Sequence, residues 1–152
     1  MADILELTAV KKKLTGRLYV HQANGTQTFA VDKSGGKFGS IAVNDWPVYD
    51  NLGPNKKVVG RAQGSQVNGL NVPSGANWKA DFHLEFPDDT RYKNSIIEVK
   101  GKVITAEGQL AIIGGTGEFA GAKGIIKVKV VDSSNGRMWE FNIEATCCGP
   151  FN

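Results

Sequence analysis

Apolar and polar residues alternate along most of this chain with a period of two. Trp78, Ala80, Phe82, Leu84 and Phe86 alternate with Lys79, Asp81, His83 and Glu85. Trp139, Phe141, Ile143 and Ala145 alternate with Glu140, Asn142 and Glu144, and Ile126, Val128 and Val130 with Lys127 and Lys129. Ile97, Val99 and Val103 do the same with Glu98, Lys100 and Lys102. Each pattern predicts a strand with one buried face and one wet face. Shorter segments of the same kind are Leu14–Val20, Thr26–Val31, Phe38–Val43, Val58–Val67 and Leu110–Gly114. Turn-forming clusters separate them, among them Asn24-Gly25, Ser34-Gly35-Gly36, Pro73-Ser74-Gly75, Pro87-Asp88-Asp89 and Ser133-Ser134-Asn135-Gly136. No long stretch carries a 3.6-residue period, which argues against parallel βαβ units. The expectation is an all-β domain, residues 1–152, either a sandwich or a closed barrel of about eight antiparallel strands. Closure is preferred because long strands with apolar faces otherwise leave adhesive edges.

Composition sharpens this picture in two places. The 19 glycines are too many for a helical chain of 152 residues, and they fall between the apolar runs as turns and bulges. The net charge of +3 is too small to indicate nucleic-acid binding without a basic stripe. The densest run, Lys11-Lys12-Lys13, reads as a solvated face. No segment approaches the roughly 20 apolar residues of a membrane span. The start, with Asp3 and Glu6 among its first residues, lacks the apolar core of a secretion signal. A cytoplasmic location is therefore expected, with the apoplast as the alternative if a signal has been removed. Cys147 and Cys148 are neighbours, and a disulfide between them would be strained, so free thiols are expected.

Conventional catalytic motifs fail on context. Gly115-Thr116-Gly117-Glu118-Phe119-Ala120 matches a dinucleotide fingerprint, but the β-branched run Gly124–Val131 follows where that motif needs a helix. His21 and His83 are the only histidines and lie at no metal-ligand spacing, so neither a metal nor a cofactor is expected. No Gly-x-Ser-x-Gly elbow is present to support a serine nucleophile. Asn24-Gly25-Thr26 is a formal glycosylation acceptor that reads more simply as a hairpin turn.

Two segments carry more information than the pattern. Val59-Gly60-Arg61-Ala62-Gln63-Gly64 and Ile113-Gly114-Gly115-Thr116-Gly117-Glu118-Phe119-Ala120-Gly121-Ala122-Lys123-Gly124 resemble the two signature segments of plant dirigent proteins. Leu18-Tyr19-Val20-His21-Gln22 is similar to the family's first-strand motif. The run from Phe38 to Asp45-Trp46-Pro47 is similar to its second strand and acidic turn, and Tyr92-Lys93-Asn94-Ser95 to its tyrosine-containing turn. The resemblance implies a trimer of antiparallel barrels, each with a partly polar cavity. It also implies a protein without its own redox centre, which holds phenoxy radicals or quinone methides made by a separate oxidase and directs their coupling or cyclisation.

Carried over position by position, the resemblance places His21, Asp45, Tyr92 and Lys123 in the cavity, with Asp45, Tyr92 and Lys123 as its catalytic set and Phe82 as wall. Gln22, Trp46 and Gln109 stand where the family usually has acids, and Ala120 and Lys123 where it usually has arginines. The first-strand His-Gln pair is also similar to the dirigent domains of monocot stress proteins fused to a jacalin-type lectin. That resemblance implies a defence role and adds saccharides to phenolics as possible ligands. Trp46 and Tyr49, read as part of a polar turn, are the expected stacking faces, and Trp78 and Trp139 the expected core or trimer contacts.

Overall fold

The structure is a computed structural model, and it describes residues 11–31, 38–69, 77–87, 92–104 and 106–147. Nine strands run β1 Lys12–Gln22, β2 Gln27–Val31, β3 Ile41–Tyr49, β4 Val58–Asn68, β5 Trp78–Phe86, β6 Ser95–Ile104, β7 Glu107–Thr116, β8 Lys123–Asp132 and β9 Arg137–Cys147. A single 3-10 turn, Gly117–Phe119, interrupts them between β7 and β8. All neighbours are antiparallel, in the order β1-β9-β8-β7-β6-β5-β4-β3-β2, and a further β1–β3 pairing closes the sheet on itself. The short β2 lies outside that ring, so the closed barrel has eight strands, as the alternation predicts. Each period-two segment of the sequence is a strand, although β7 begins three residues earlier than the apolar run Leu110–Gly114 suggests.

The barrel closes imperfectly on one side. β1 pairs with β3 only at Tyr19 and Val20, opposite Tyr49 and Val48. β1 then stays with β9 as far as Gln22, while β2 takes over along β3, pairing Gln27–Val31 with Asn44–Ile41. Pro47 sits on β3 where the exchange occurs. The Asp45 N–H points at this seam, donating to the Thr26 carbonyl over 2.9 Å. Positions two apart on a strand face the same neighbour, so Pro47 also faces the seam. It has no N–H to donate, and it costs nothing where no strand is there to receive one. The expected acidic turn at Asp45-Trp46-Pro47 is therefore corrected: these residues lie inside β3, because the proline's missing donor coincides with a gap in the ladder.

The core fills the barrel from inward-facing positions. Val20, Val48, Leu84, Ile97, Val99, Leu110 and Ile126 are completely or almost completely buried, and each contributes about 1.5–3 kcal/mol of apolar transfer. Small residues let the strands bend inward. A side chain at Gly64 would stand on the Asp81 carbonyl oxygen and 2.5 Å from the Phe82 Cα. The first signature segment is thus a stretch of β4 that must lie close against β5. Lys11, Lys12 and Lys13 are exposed, as their composition suggests. Cys147 is a buried free thiol, its Sγ 3.7 Å from the Glu118 carbonyl oxygen, and Cys148 lies outside the described residues.

Candidate functional site

The two ends of the barrel differ in chemistry. The second signature segment seals one of them. Gly117 adopts φ +62°, and any Cβ there would come within 2.5 Å of the Ser95 Oγ. The backbone therefore doubles back tightly, and the Glu118 N–H donates to that hydroxyl over 2.9 Å. The turn delivers Phe119 into the barrel end, where its ring lies 5.4 Å from Phe86 and 5.1 Å from Tyr92. Phe119 and Ala122 are buried. The glycine motif that formally resembles a nucleotide fingerprint is thus a hydrophobic floor.

Among the described residues the opposite end is open. A cavity of about 260 Å³ enters there between Gln22, Gln27, Gln66, Arg137, Trp78 and Trp139. It continues inward into a pocket of about 30 Å³ beside Trp46, Phe82 and Phe141, sharing Gln22, Gln66 and Trp139 with the mouth. Three amides and Arg137 are the polar residues in these linings. The Trp139 indole N–H donates to Gln22 Oε1 over 3.1 Å, and Gln22 Nε2 donates to Gln27 Oε1 over 3.1 Å. That relay crosses the seam where backbone pairing has ceased, linking β9, β1 and β2 by side chains. Deeper in, Trp46 packs edge-on to Phe82 at 6.4 Å, and Phe82 packs against Phe141 at 6.0 Å.

Two buried polar atoms on β3 make no hydrogen bond among the described residues: the Trp46 Nε1–H donor and the Asn44 Oδ1 acceptor. Asn44 spends its amide hydrogens on the Ala62 carbonyl at 2.8 Å. An unmet buried group of this kind costs about 1–3 kcal/mol, and binding sites are where such costs concentrate.

Strand parity decides where the expected site residues fall. Gln22, Trp46 and Phe82 face inward and come together in the lumen. Asp45 faces outward, half exposed, where the Arg61 Nε donates to its Oδ1 over 2.6 Å and Gln63 Nε2 over 3.1 Å. The Arg61 hydrogen bond holds the Asp45 carboxyl below the usual carboxylate range. Asp45 therefore clips β3 to β4 on the outer wall and is not a cavity acid. His21 also faces outward, a ring N–H donating to the Asn135 carbonyl oxygen at 2.7 Å. Lys123 and Gln109 are exposed on the outer faces of β8 and β7. Tyr49 carries the Lys56 ammonium 4.8 Å over its ring, again outside the lumen. Tyr92 belongs to the floor cluster, at the end away from the mouth.

Trp139 is part of the buried core, as expected, and Trp46 lines the inner pocket, although by burial and not as an exposed face. Trp46 is only 5% exposed and presents no surface stacking face, whereas Trp78 and Trp139 line the mouth. The lining residues that sequence reading passes over are Gln27, Gln66, Phe141 and Arg137. One signal points to two of them: Gln66 shares parity with Ala62 on β4, and Arg137 with Trp139 on β9. A polar residue on the inward parity of a strand is a lumen residue.

No carboxylate lines either cavity among the described residues, and Arg137 is the sole ionisable group in the two linings. Nor do the described residues contain a cluster of three or more His, Cys, Asp or Glu able to hold a metal. What the lumen supplies is flat apolar walls, neutral amides that fix orientation, and one guanidinium at the rim.

Fold and lining together define an eight-stranded antiparallel barrel with a lumen that opens at one end among the described residues. A family model described as dirigent-like protein matches residues 10–146, and the chain belongs to the dirigent family. It is 34% identical to Dirigent protein 23 of Arabidopsis thaliana, over 81% of this chain and 70% of that protein. Among solved structures it superposes on the pterocarpan synthase dirigent protein GePTS1 with a TM-score of 0.80, covering 96% of this chain and 97% of that one at 19% identity. The corresponding protein PsPTS1 gives 0.78, with 92% and 97% covered, also at 19% identity. A pyocyanin demethylase gives 0.62 at 21% identity, with 84% and 98% covered. The barrel is thus shared with proteins of quite different sequence.

Proposed function

We propose that this protein binds one small phenolic molecule per barrel and directs the stereochemistry of its coupling or cyclisation, with a separate oxidase supplying the reactive species. The observation that carries this reading is the one-ended lumen, aromatic along its walls and bearing amides only at fixed points. Its volume, about 260 Å³ at the mouth, lies at the small end of ligand pockets. One ring with a short side chain fits that space. A pair of such molecules would have to meet with one held inside and the other approaching from the mouth.

Direction then follows from shielding. A radical or quinone methide with one face against the lumen wall offers its other face to attack. A difference of about 1.4 kcal/mol between two approaches already gives a tenfold product bias. The outward positions of Asp45 and Lys123 and the acid-free lining favour control by positioning over proton transfer. The protein would assemble as a trimer, as the family resemblance implies, and sedimentation at micromolar concentration tests that directly.

The test of function is coupling of coniferyl alcohol by a one-electron oxidant, with and without the protein, resolved by chiral chromatography. An enantiomeric excess that grows with protein concentration and falls in Trp46→Phe is the expected outcome. A racemic product from coniferyl alcohol and from every other phenol that the protein binds would overturn the proposal.

A further inference from the structure

The outer wall of the barrel carries a polar feature that the lumen does not use. We infer that it binds a single chain of an acidic polysaccharide, a polymer of uronic acid residues, laid across the strands. A concavity of about 730 Å³ lies outside the barrel along β6, β7, β8 and β9. Four of its residues, Lys102, Gln109, Lys127 and Asn142, stand directly opposite one another on those successive strands. The same register continues to Lys79 on β5 and to Arg17 on β1. Neighbouring strands lie about 4.8 Å apart, so cations and amides follow one another in a line that crosses six strands and contains no carboxylate.

The charge of this line calls for a polyanion. Lys79, Lys102 and Arg17 make no ion pair among the described residues, and Lys127 pairs with Glu144 at 3.6 Å. That pair is exposed, so it contributes little and yields readily to another anion. The flanking lines set the width of the ligand. One holds Glu107 and Glu140 with Lys129 between them, and the other holds Asp81, Lys100 and Glu144. Acids outnumber lysines in both together, which confines the positive potential to the central line. A bilayer surface or a nucleic-acid duplex is broad enough to press its phosphates onto those carboxylates, and like charges so juxtaposed are unfavourable. A chain one sugar wide stays within the line.

The remaining groups match a sugar acid. Gln109 and Asn142 make no side-chain hydrogen bond among the described residues, and an amide both donates to and accepts from hydroxyls. From Lys102 to Arg17 cation and amide alternate, which fits a polymer whose every unit carries one anion and several hydroxyls. No aromatic side chain of the described residues lines the concavity, so single-stranded nucleic acid finds no stacking platform. Centres of interfaces between proteins are poor in Lys and Glu, so assembly into a trimer would leave this wall open.

Oligogalacturonate and its fully methyl-esterified form differ in charge and make a matched pair of probes. Calorimetry on the wild-type protein should show binding of the acid form only, weakening at least about tenfold as salt is raised from about 50 to about 500 mM. Lys102→Gln combined with Lys127→Gln should lower affinity about tenfold, the usual worth of two exposed charge contacts. Glu107→Gln removes a flanking acid and should tighten binding about two- to threefold, a gain that misfolding cannot imitate. Absence of binding at low salt, equal binding of the ester, or full affinity in the double variant overturns the inference. Tighter binding of single-stranded DNA or of phosphatidylserine vesicles also overturns it and assigns the wall to another polyanion. None of the substituted residues lines the lumen, so stereoselective coupling stands or falls separately and should be unchanged in every variant.

Discussion

Truncating Phe119 to alanine removes the ring that seals one end of the barrel. Phe119 is 3% exposed, and its ring stands 5.4 Å from Phe86 and 5.1 Å from Tyr92. Loss of a buried phenylalanine costs about 3–5 kcal/mol when the surroundings cannot collapse into the space. Collapse is hindered here. The turn is pinned by the Glu118 N–H on Ser95, and Gly115 and Gly117 already lie in close contact with their neighbours. The upper half of that range is therefore expected, of which each ring pair supplies about 0.5–1.5 kcal/mol beyond buried area. Urea unfolding at a fixed protomer concentration measures it, the fixed concentration removing any contribution from assembly. Phe119→Leu, which restores most of the volume, should lose about 1–1.5 kcal/mol. A loss below about 1 kcal/mol in Phe119→Ala, with an unchanged denaturant slope, would refute the assignment of this motif as the floor.

Gly117→Ala forces a Cβ into a left-handed backbone at φ +62°, so a loss of at least about 1–2 kcal/mol is expected in the same unfolding assay. Asp45→Asn tests the outer clip. The folded carboxyl titrates below its ordinary value of 3.8, so its stabilisation is present above that pH and is lost as acid protonates it. The variant should be less stable by about 0.5–1 kcal/mol at pH 7, as for other half-exposed pairs, and indistinguishable from wild type well below pH 3.8; a gap that persists in acid would show that the charge is not the cause. Asp45→Asn should also leave phenolic binding unchanged, because the side chain lies outside the lumen, and weakened binding by calorimetry would return Asp45 to the site.

The barrel is readable from the sequence because period-two alternation is a local property, which β5 carries over its whole length and β8 and β9 over most of theirs. The site is harder to read because it depends on parity across the ring. Asp45 and Trp46 are adjacent, and a shift of one residue in the reading of β3 exchanges which of them meets the ligand. The family resemblance provokes that shift, since it assigns Asp45-Trp46-Pro47 to an acidic turn. Only the departure of β1 from β3 makes Pro47 compatible with a continuous strand. Trp78 and Trp139 were assignable to an apolar face, but not to a mouth, because an inward face is core or cavity depending on how far the opposite wall stands. Gln109 and Lys123 match family positions in order along the chain, yet the pleat turns both outward.

A barrel plugged at one end and open at the other is a blind cup. Whatever goes in must come out backwards, past the same glutamines and tryptophans, so arrival and departure compete for one doorway. A guest cannot turn end over end in so narrow a space, and the end that leads on the way in stays innermost throughout. On the proposed function, handedness would be decided at the threshold, by which end enters first and which face lies against Trp139. The unpaired seam beside Pro47 is bridged at that doorway by two glutamine side chains, which can part without breaking a single rung of the sheet.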